Sequence, residues 1–190
     1  MDFWIFVLAV LGVILLFPYL RFFLKRVRLY GSLRVLCKTK NYRIHATHPL
    51  WMFGGNGRTD CDFCIETDSA VYAVKLFRTK YRSTHLIFTE NGNWFIRFFA
   101  VHFAHGSHVA MPIDSKPRCM PAYNFKTNYA DAWYKKTFLP VLLINPVCRE
   151  VKRQNARGDE ETIGSGDTVG GMFVYSLSRF LDRLSYDADF

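Results

Sequence analysis

The stretch Thr59–Phe77, TDCDFCIETDSAVYAVKLF, decides the fold because it predicts two short strands joined by a tight turn. Both CDFCIET and AVYAVKLF are rich in residues that favour strands, and Asp68–Ser69 between them favours a turn. Acidic side chains recur at alternate positions of the first strand, so Asp62 and Glu66 are expected on one face. The second strand ends close to a single lysine, Lys75.

Two carboxylates near a lysine indicate a metal-dependent phosphodiesterase. Carboxylate oxygens are ligands for Mg²⁺, so Asp62 and Glu66 are the predicted metal ligands. Lys75 would stabilise developing charge or help to activate the attacking water. The predicted catalytic set is therefore Asp62, Glu66 and Lys75. The alternative is a solvated acidic strand face with a surface lysine.

The remaining patterns predict an α+β or α/β fold, in which helices flank one mixed sheet. A continuous apolar run is typical of a strand buried on both faces, whereas apolar residues at helical spacing indicate amphipathic helices. The predicted elements are a helix over Lys25–Lys40, a strand at Tyr42–Thr47, a second hairpin around Asn91–Gly92, a helix over Asn128–Lys136, a buried strand at Leu139–Asn145 and a helix over Met172–Leu184.

The order helix, strand, Asp-bearing strand, strand ending in x-Lys, helix, strand resembles the core of the PD-(D/E)xK superfamily of restriction-endonuclease-like proteins. The resemblance covers about Lys25 to Asn145. It implies that Asp62 is the metal-binding aspartate and that Lys75 is the lysine of the motif. The acid two residues before the lysine is replaced by Ala73, and Glu66 on the neighbouring strand is the candidate substitute.

The N-terminus contains a long apolar run, Phe3–Leu20, with no charged residue in its 18 positions. A helix of that length spans roughly 27 Å, which predicts a transmembrane anchor. A cleaved signal peptide is the alternative, although only Met1–Asp2 precedes the run and no small-residue cleavage site follows it. The chain is therefore divided into an anchor with its basic flank, residues 1–24, and an α/β domain, residues 25–190.

The positive charge is concentrated immediately after this run. Eight of the 25 basic residues lie in Arg21–Arg43, without an acid among them, and the rest of the chain has seventeen basic and sixteen acidic residues. This asymmetry predicts an outside N-terminus and a cytoplasmic domain at the cell membrane, with the lipid bilayer as a partner. A generally basic DNA-binding surface is not required. The predicted membrane-flanking residues are Arg21, Lys25, Arg26 and Arg28.

The five cysteines are odd in number and show no disulfide framework, which favours a reducing compartment. Cys61 and Cys64 form a C-x-x-C pair, but no second pair follows at the spacing of a zinc ribbon. An offset of three on a strand predicts that the two sulfurs lie on opposite faces. Ordinary structural cysteines are expected.

The sequence thus predicts a single-pass membrane protein whose cytoplasmic, nuclease-like domain has a degenerate motif and acts by binding. Its expected partner is nucleic acid or a membrane-proximal protein, and no small-molecule cofactor is inferred. An active Mg²⁺-dependent nuclease using Asp62, Glu66 and Lys75 is one alternative. A membrane-tethered protein-interaction domain is another, so whether the chain is an enzyme stays open.

Overall fold

The computed structural model describes residues 2–46, 61–77, 84–104, 107–119, 135–145 and 148–186. They form a mixed α+β fold with two helices and two sheets. The helices are α1 (Asp2–Thr39) and α2 (Leu177–Tyr186). The strands are β1 (Arg43–Ala46), β2 (Phe63–Glu66), β3 (Ala70–Phe77), β4 (His85–Thr89), β5 (Asn93–Ala104), β6 (Ser107–Asp114), β7 (Arg118–Cys119), β8 (Thr137–Ile144), β9 (Glu150–Gln154), β10 (Glu160–Thr162), β11 (Thr168–Val169) and β12 (Met172–Ser176).

The first sheet has the strand order β1-β2-β3-β8-β12-β11. Strands β1, β2 and β3 form an antiparallel meander, whereas β3, β8 and β12 are parallel. Residues Val141–Ile144 of β8 are at most 2% exposed, so this apolar segment is buried on both faces as its sequence predicts. The hairpin predicted within Thr59–Phe77 is also confirmed, because β2 pairs antiparallel with β3 around Asp68–Ser69.

The second sheet has the order β10-β9-β4-β5-β6, with β7 also paired to β5. The sequence predicts one mixed sheet, and this is wrong because β4 pairs with β9 instead of extending the first sheet. The predicted turn at Asn91–Gly92 does connect β4 to β5. Gly92 has a φ of 72°, a conformation that glycine adopts without steric cost.

The molecule has three layers, with the first sheet in the middle. On one face, Tyr72, Val74 and Leu143 pack with Leu33 of α1 and Phe180 of α2. On the other face, a separate apolar cluster contains side chains of both sheets: Leu142, Ile144, Met172 and Val174 from the first sheet, with Leu86 and Phe88 from the second. The Asp62 end of the first sheet lies at the edge of this sandwich, next to β1.

The N-terminal prediction needs correction. No helix in the described part of the chain is long and apolar enough to cross a membrane, which contradicts the transmembrane anchor over Phe3–Leu20 and the single-pass topology. The apolar run is not a separate element. It is the first part of α1, which continues without a break through Lys25 and Arg28 to Thr39 and packs its last turns against the first sheet. The predicted division after residue 24 therefore falls inside a helix.

Two other helix predictions have different outcomes. Met172–Ser176 is strand β12, and the C-terminal helix begins only at Leu177. The first five residues were misassigned because parallel pairing with β8 overrides their local helical spacing. The helix predicted over Asn128–Lys136 lies outside the described residues except at 135–136, which form a turn and a bend.

Leu33 and Val35 of α1 allow a test of the helix–sheet packing. Leu33 is 0% exposed within the core, whereas Val35 is 69% exposed two residues later on the same helix. We expect Leu33→Ala to lower the free energy of unfolding by about 2–5 kcal/mol, through lost burial and a residual cavity. Val35→Ala should change it by no more than about 0.5 kcal/mol. Urea denaturation of both variants checks this, and equal effects would contradict the packing of α1 described above.

Candidate functional site at the Asp62 end of the first sheet

A local irregularity in strand pairing positions Asp62. The β2–β3 register pairs Phe63 with Val74, yet the amide of Asp62 also donates to the carbonyl of Val74 at 2.8 Å. Two residues of one strand thus oppose one residue of the other, which is the arrangement of a β-bulge. The bulge ends the β2–β3 ladder at Asp62.

The carboxylate of Asp62 binds the backbone of β3 just beyond the bulge. Asp62 is 4% exposed, and its Oδ2 accepts a hydrogen bond from the amide of Leu76 at 2.7 Å. The amide of a strand residue would otherwise seek a backbone carbonyl, and a buried amide without a partner is costly. One oxygen of the predicted metal ligand is therefore used to bind the backbone of β3 just beyond the end of the β2–β3 ladder.

Glu66 lies at the opposite end of β2. Its Oε1 is 2.9 Å from Nζ of Lys136, and its Oε2 is 3.0 Å from Nε2 of His45. Lys136 also donates to the carbonyl of Thr67 at 2.6 Å. Glu66 is four steps along the chain from Asp62, which corresponds to about 13 Å in an extended strand. The structure does not bring Asp62, Glu66 and Lys75 together as one constellation.

The position of the missing acid is apolar and closed to solvent. Ala73 is 0% exposed and pairs with Cys64 across the β2–β3 ladder. Its cluster consists of Cys61, Cys64 and Val71, with Phe138 packed against them. A carboxylate at position 73 would be buried in this environment, where the charged form is strongly disfavoured.

Cys61 and Cys64 lie side by side, so the prediction that they occupy opposite faces is wrong. Their Sγ atoms are 3.5 Å apart, and both residues are 1% exposed. The strand periodicity behind the prediction does not apply, because Cys61 precedes the bulge and lies outside β2. The hydrogen bond with Cys61, together with burial, raises the pKa of the Cys64 thiol above its ordinary value. Cys64 is thus held as a neutral thiol.

These residues do not fit a two-carboxylate Mg²⁺ site. Within the described ranges, no group of three or more His, Cys, Asp or Glu side chains is arranged to hold a metal ion. Asp62 has one oxygen committed to Leu76, Ala73 provides no ligand, and Glu66 is held at the far end of its strand. Lys75 is half-buried on β3. No metal-dependent step is therefore derived from this set.

Two partners of Glu66, His45 and Lys136, were not singled out in the sequence. His45 belongs to β1, and its register with Cys64 places it beside β2. Lys136 is 70 residues away from Glu66 in the sequence. No local spacing signals such a contact, because it depends on β8 pairing with β3.

The second sheet carries a different polar cluster. Arg97 contacts Asp114 at 2.6 Å through Nε and Glu160 at 2.5 Å through Nη1. Lys152 lies 3.3 Å from Glu160 and 3.5 Å from Glu150. His85 lies at the end of this network, with Nδ1 3.6 Å from Oε2 of Glu150. Both cations of this cluster are thus paired with carboxylates within the sheet.

Comparisons with known proteins place no further constraint on this site: no family model, curated protein or solved structure matches the chain.

The role of the Asp62 carboxylate as hydrogen-bond acceptor for the Leu76 amide can be tested by two substitutions. Asp62→Ala should lower the free energy of unfolding by about 1–3 kcal/mol, because the Leu76 amide loses its acceptor. Asp62→Asn retains an acceptor oxygen and should recover most of this loss. Urea denaturation of the two variants distinguishes them. An Asn variant as unstable as the Ala variant would show that this hydrogen bond is not what Asp62 contributes.

His85 predicts a pH dependence of stability. It is 8% exposed, neither ring nitrogen has a hydrogen-bond partner among the described residues, and burial lowers its pKa. Glu150 and Glu160 oppose this shift, whereas Lys152 and Arg149 reinforce it. The unfolded chain therefore binds the proton more readily, so stability should fall as pH drops through about 6.5, the ordinary histidine pKa.

The measurement compares wild type with His85→Gln in urea denaturation between pH 7.5 and 5.5. The stability of wild type relative to the variant should decline towards the acid end. Parallel curves for the two proteins would rule out a contribution from His85.

Proposed function

We propose that this chain is a restriction-endonuclease-like domain that binds nucleic acid without cleaving it. The observation that carries the proposal is the environment of Ala73, the position at which the resembling motif has its second acid. This site is fully buried among Cys61, Cys64 and Val71. The position that carries the second acid in the resembling motif thus lies in a buried, apolar environment.

The order of the elements supports the nuclease-like part of the proposal. Helix α1 is followed by the meander β1-β2-β3, and β8 then pairs parallel to β3. These elements follow the first four members of the order on which the resemblance rests, with Asp62 before β2 and Lys75 in β3, whereas the helix expected before the last strand is not found among the described residues. The connection between β3 and β8 differs, because it contains the β4–β7 segment of the second sheet.

The distribution of charge supports nucleic acid as the ligand. Most described acids outside the N-terminal segment are paired with basic side chains, as in the Arg97–Glu160 and Lys136–Glu66 bridges. The basic residues of Arg21–Arg43 have no acid among them in the sequence, and Arg28, Arg34 and Arg43 are exposed. Positive side chains on a surface attract the phosphate backbone and make its binding sensitive to salt.

The test uses the full chain, because α1 is continuous with the domain. Purified protein is incubated with plasmid, duplex and single-stranded DNA and with RNA, with and without Mg²⁺ or Mn²⁺. We expect no cleavage above the level of a matched mock preparation. Fluorescence anisotropy should show binding that weakens as salt rises from 50 to 200 mM, because bound phosphates release counterions.

Asp62→Asn and Lys75→Ala provide the control for cleavage. Hydrolysis that requires a divalent cation and is abolished by both substitutions would overturn the proposal in favour of an active nuclease. An absence of both cleavage and salt-sensitive binding would overturn it in favour of a protein-interaction domain.

A further inference from the structure

A polar cleft separates the C-terminal turns of α1 from β1. Its volume is about 400 Å³, and it is lined by Tyr30, Arg34, Cys37, Lys38, Asn41, Tyr42 and Ile44. The chain reverses at Asn41, which adopts a left-handed φ of 59°. The amide of Tyr42 donates to the carbonyl of Cys37 at 2.8 Å, and this bond fixes the exit of the chain from the helix.

On the side of the cleft formed by α1, three side chains lie in one row. Tyr30, Arg34 and Lys38 are spaced four residues apart, so they lie above one another on the same side of α1. Both cations are exposed, and neither forms an ion pair within the part of the chain that the structure describes. The cleft therefore presents two positive charges beside the ring of Tyr30, which is partly buried and also packs against the core of the first sheet.

Helix capping does not account for both cations. Lys38 is in the last turn of α1, where a positive side chain stabilises the partial negative charge of the helix end. Arg34 lies a full turn earlier, beyond most of that effect. The remaining wall carries no opposing charge, because burial raises the pKa of the Cys37 thiol to about 11 and keeps it neutral.

The chemistry of the cleft matches a phosphodiester strand with unpaired bases. Arginine and lysine bind phosphate oxygens, and the planar guanidinium can make two parallel hydrogen bonds. Aromatic side chains beside a basic groove provide surfaces on which unpaired bases stack. A base within a duplex cannot use the Tyr30 ring in this way, so the arrangement favours a single strand.

We propose that the α1–β1 cleft is the phosphate-contacting subsite for single-stranded nucleic acid, with Arg34 and Lys38 on the backbone and Tyr30 against a base. This inference rests on the proposed nucleic-acid-binding function and names where that ligand is held. The cleft lies on the helix side of the first sheet, away from the Ala73 cluster on the opposite face. The cleft and the degenerate motif therefore lie on different faces of the sheet, so substitutions can address them separately.

The test measures binding of a labelled 12-nucleotide single strand by anisotropy at several salt concentrations, using the full chain. The double variant Arg34→Ala/Lys38→Ala removes the two cleft charges. Arg149→Ala/Arg157→Ala is the matched control, since it removes two exposed charges elsewhere. The slope of log affinity against log salt should become shallower by about 1.4 in the cleft variant, or about 0.7 per phosphate contact.

The cleft variant should also bind at least tenfold more weakly at 50 mM salt, while the control changes less than twofold. Tyr30→Leu should weaken binding of the single strand by about tenfold. It should leave the slope of log affinity against log salt unchanged, as expected for a lost stacking contact. Thermal melting and circular dichroism of each variant establish that the fold is retained.

The outcomes separate this inference from the proposed function. If wild type binds and the cleft variant binds as well as the control variant, the assignment of the subsite to the cleft is overturned, while the proposal of nucleic-acid binding is retained. If wild type shows no salt-sensitive binding, both fail. Equal affinity for duplex, or an oligonucleotide bound no better than inorganic phosphate or a mononucleotide, would overturn the single-strand assignment.

Discussion

The backbone hydrogen bonds of β8 to parallel strands on both sides organise the whole molecule. Strand β3 pairs with β8 over eight residues, and β12 pairs with it over four. Alternate side chains of β8 therefore enter different layers. Val141 and Leu143 belong to the core shared with the helices, whereas Leu142 and Ile144 belong to the core shared with the second sheet. Neither face is available to water, so the segment has to be apolar throughout.

The same constraint shapes the Asp62 end. Strand β3 pairs with β8 as far as Phe77, whereas its pairing with β2 ends at Val74, where the bulge at Asp62 interrupts the ladder. The carboxylate of Asp62 then accepts a hydrogen bond from the Leu76 amide. The side chain at position 73 packs in a small apolar cluster, where a charged group would be strongly disfavoured.

Particular elements show what sequence patterns could and could not establish. The β2–β3 hairpin, the buried β8 strand and the Gly92 turn were predictable, since each depends on local periodicity or turn chemistry. The second sheet was not predictable, because β4 pairs with β9, more than sixty residues later. Strand β12 was missed for a similar reason, since its apolar residues suit a helix or a strand until β8 is placed. The apolar composition of the N-terminal run likewise did not show that the run belongs to a longer helix.

The candidate site illustrates a different limit. The separation of Asp62 and Glu66 follows from strand geometry, so four intervening steps already place them too far apart to share an ion. The contact between Cys61 and Cys64 could not be predicted, because it depends on a bulge that no pattern in the sequence indicates.

The net charge of +9 is unevenly distributed in the structure, because some cations are paired with acids and others are not. In the second sheet, Arg97 and Lys152 are held by Asp114, Glu160 and Glu150, so their field is largely cancelled within a few ångströms. Screening at physiological salt acts over about 8 Å and further isolates this network from distant groups. Arg34 and Lys38, near the C-terminal end of α1, form no ion pair among the described residues. Because an approaching ion responds to the local field and not to the total charge, these two side chains matter more for the electrostatics of that surface than the paired cations of the second sheet do.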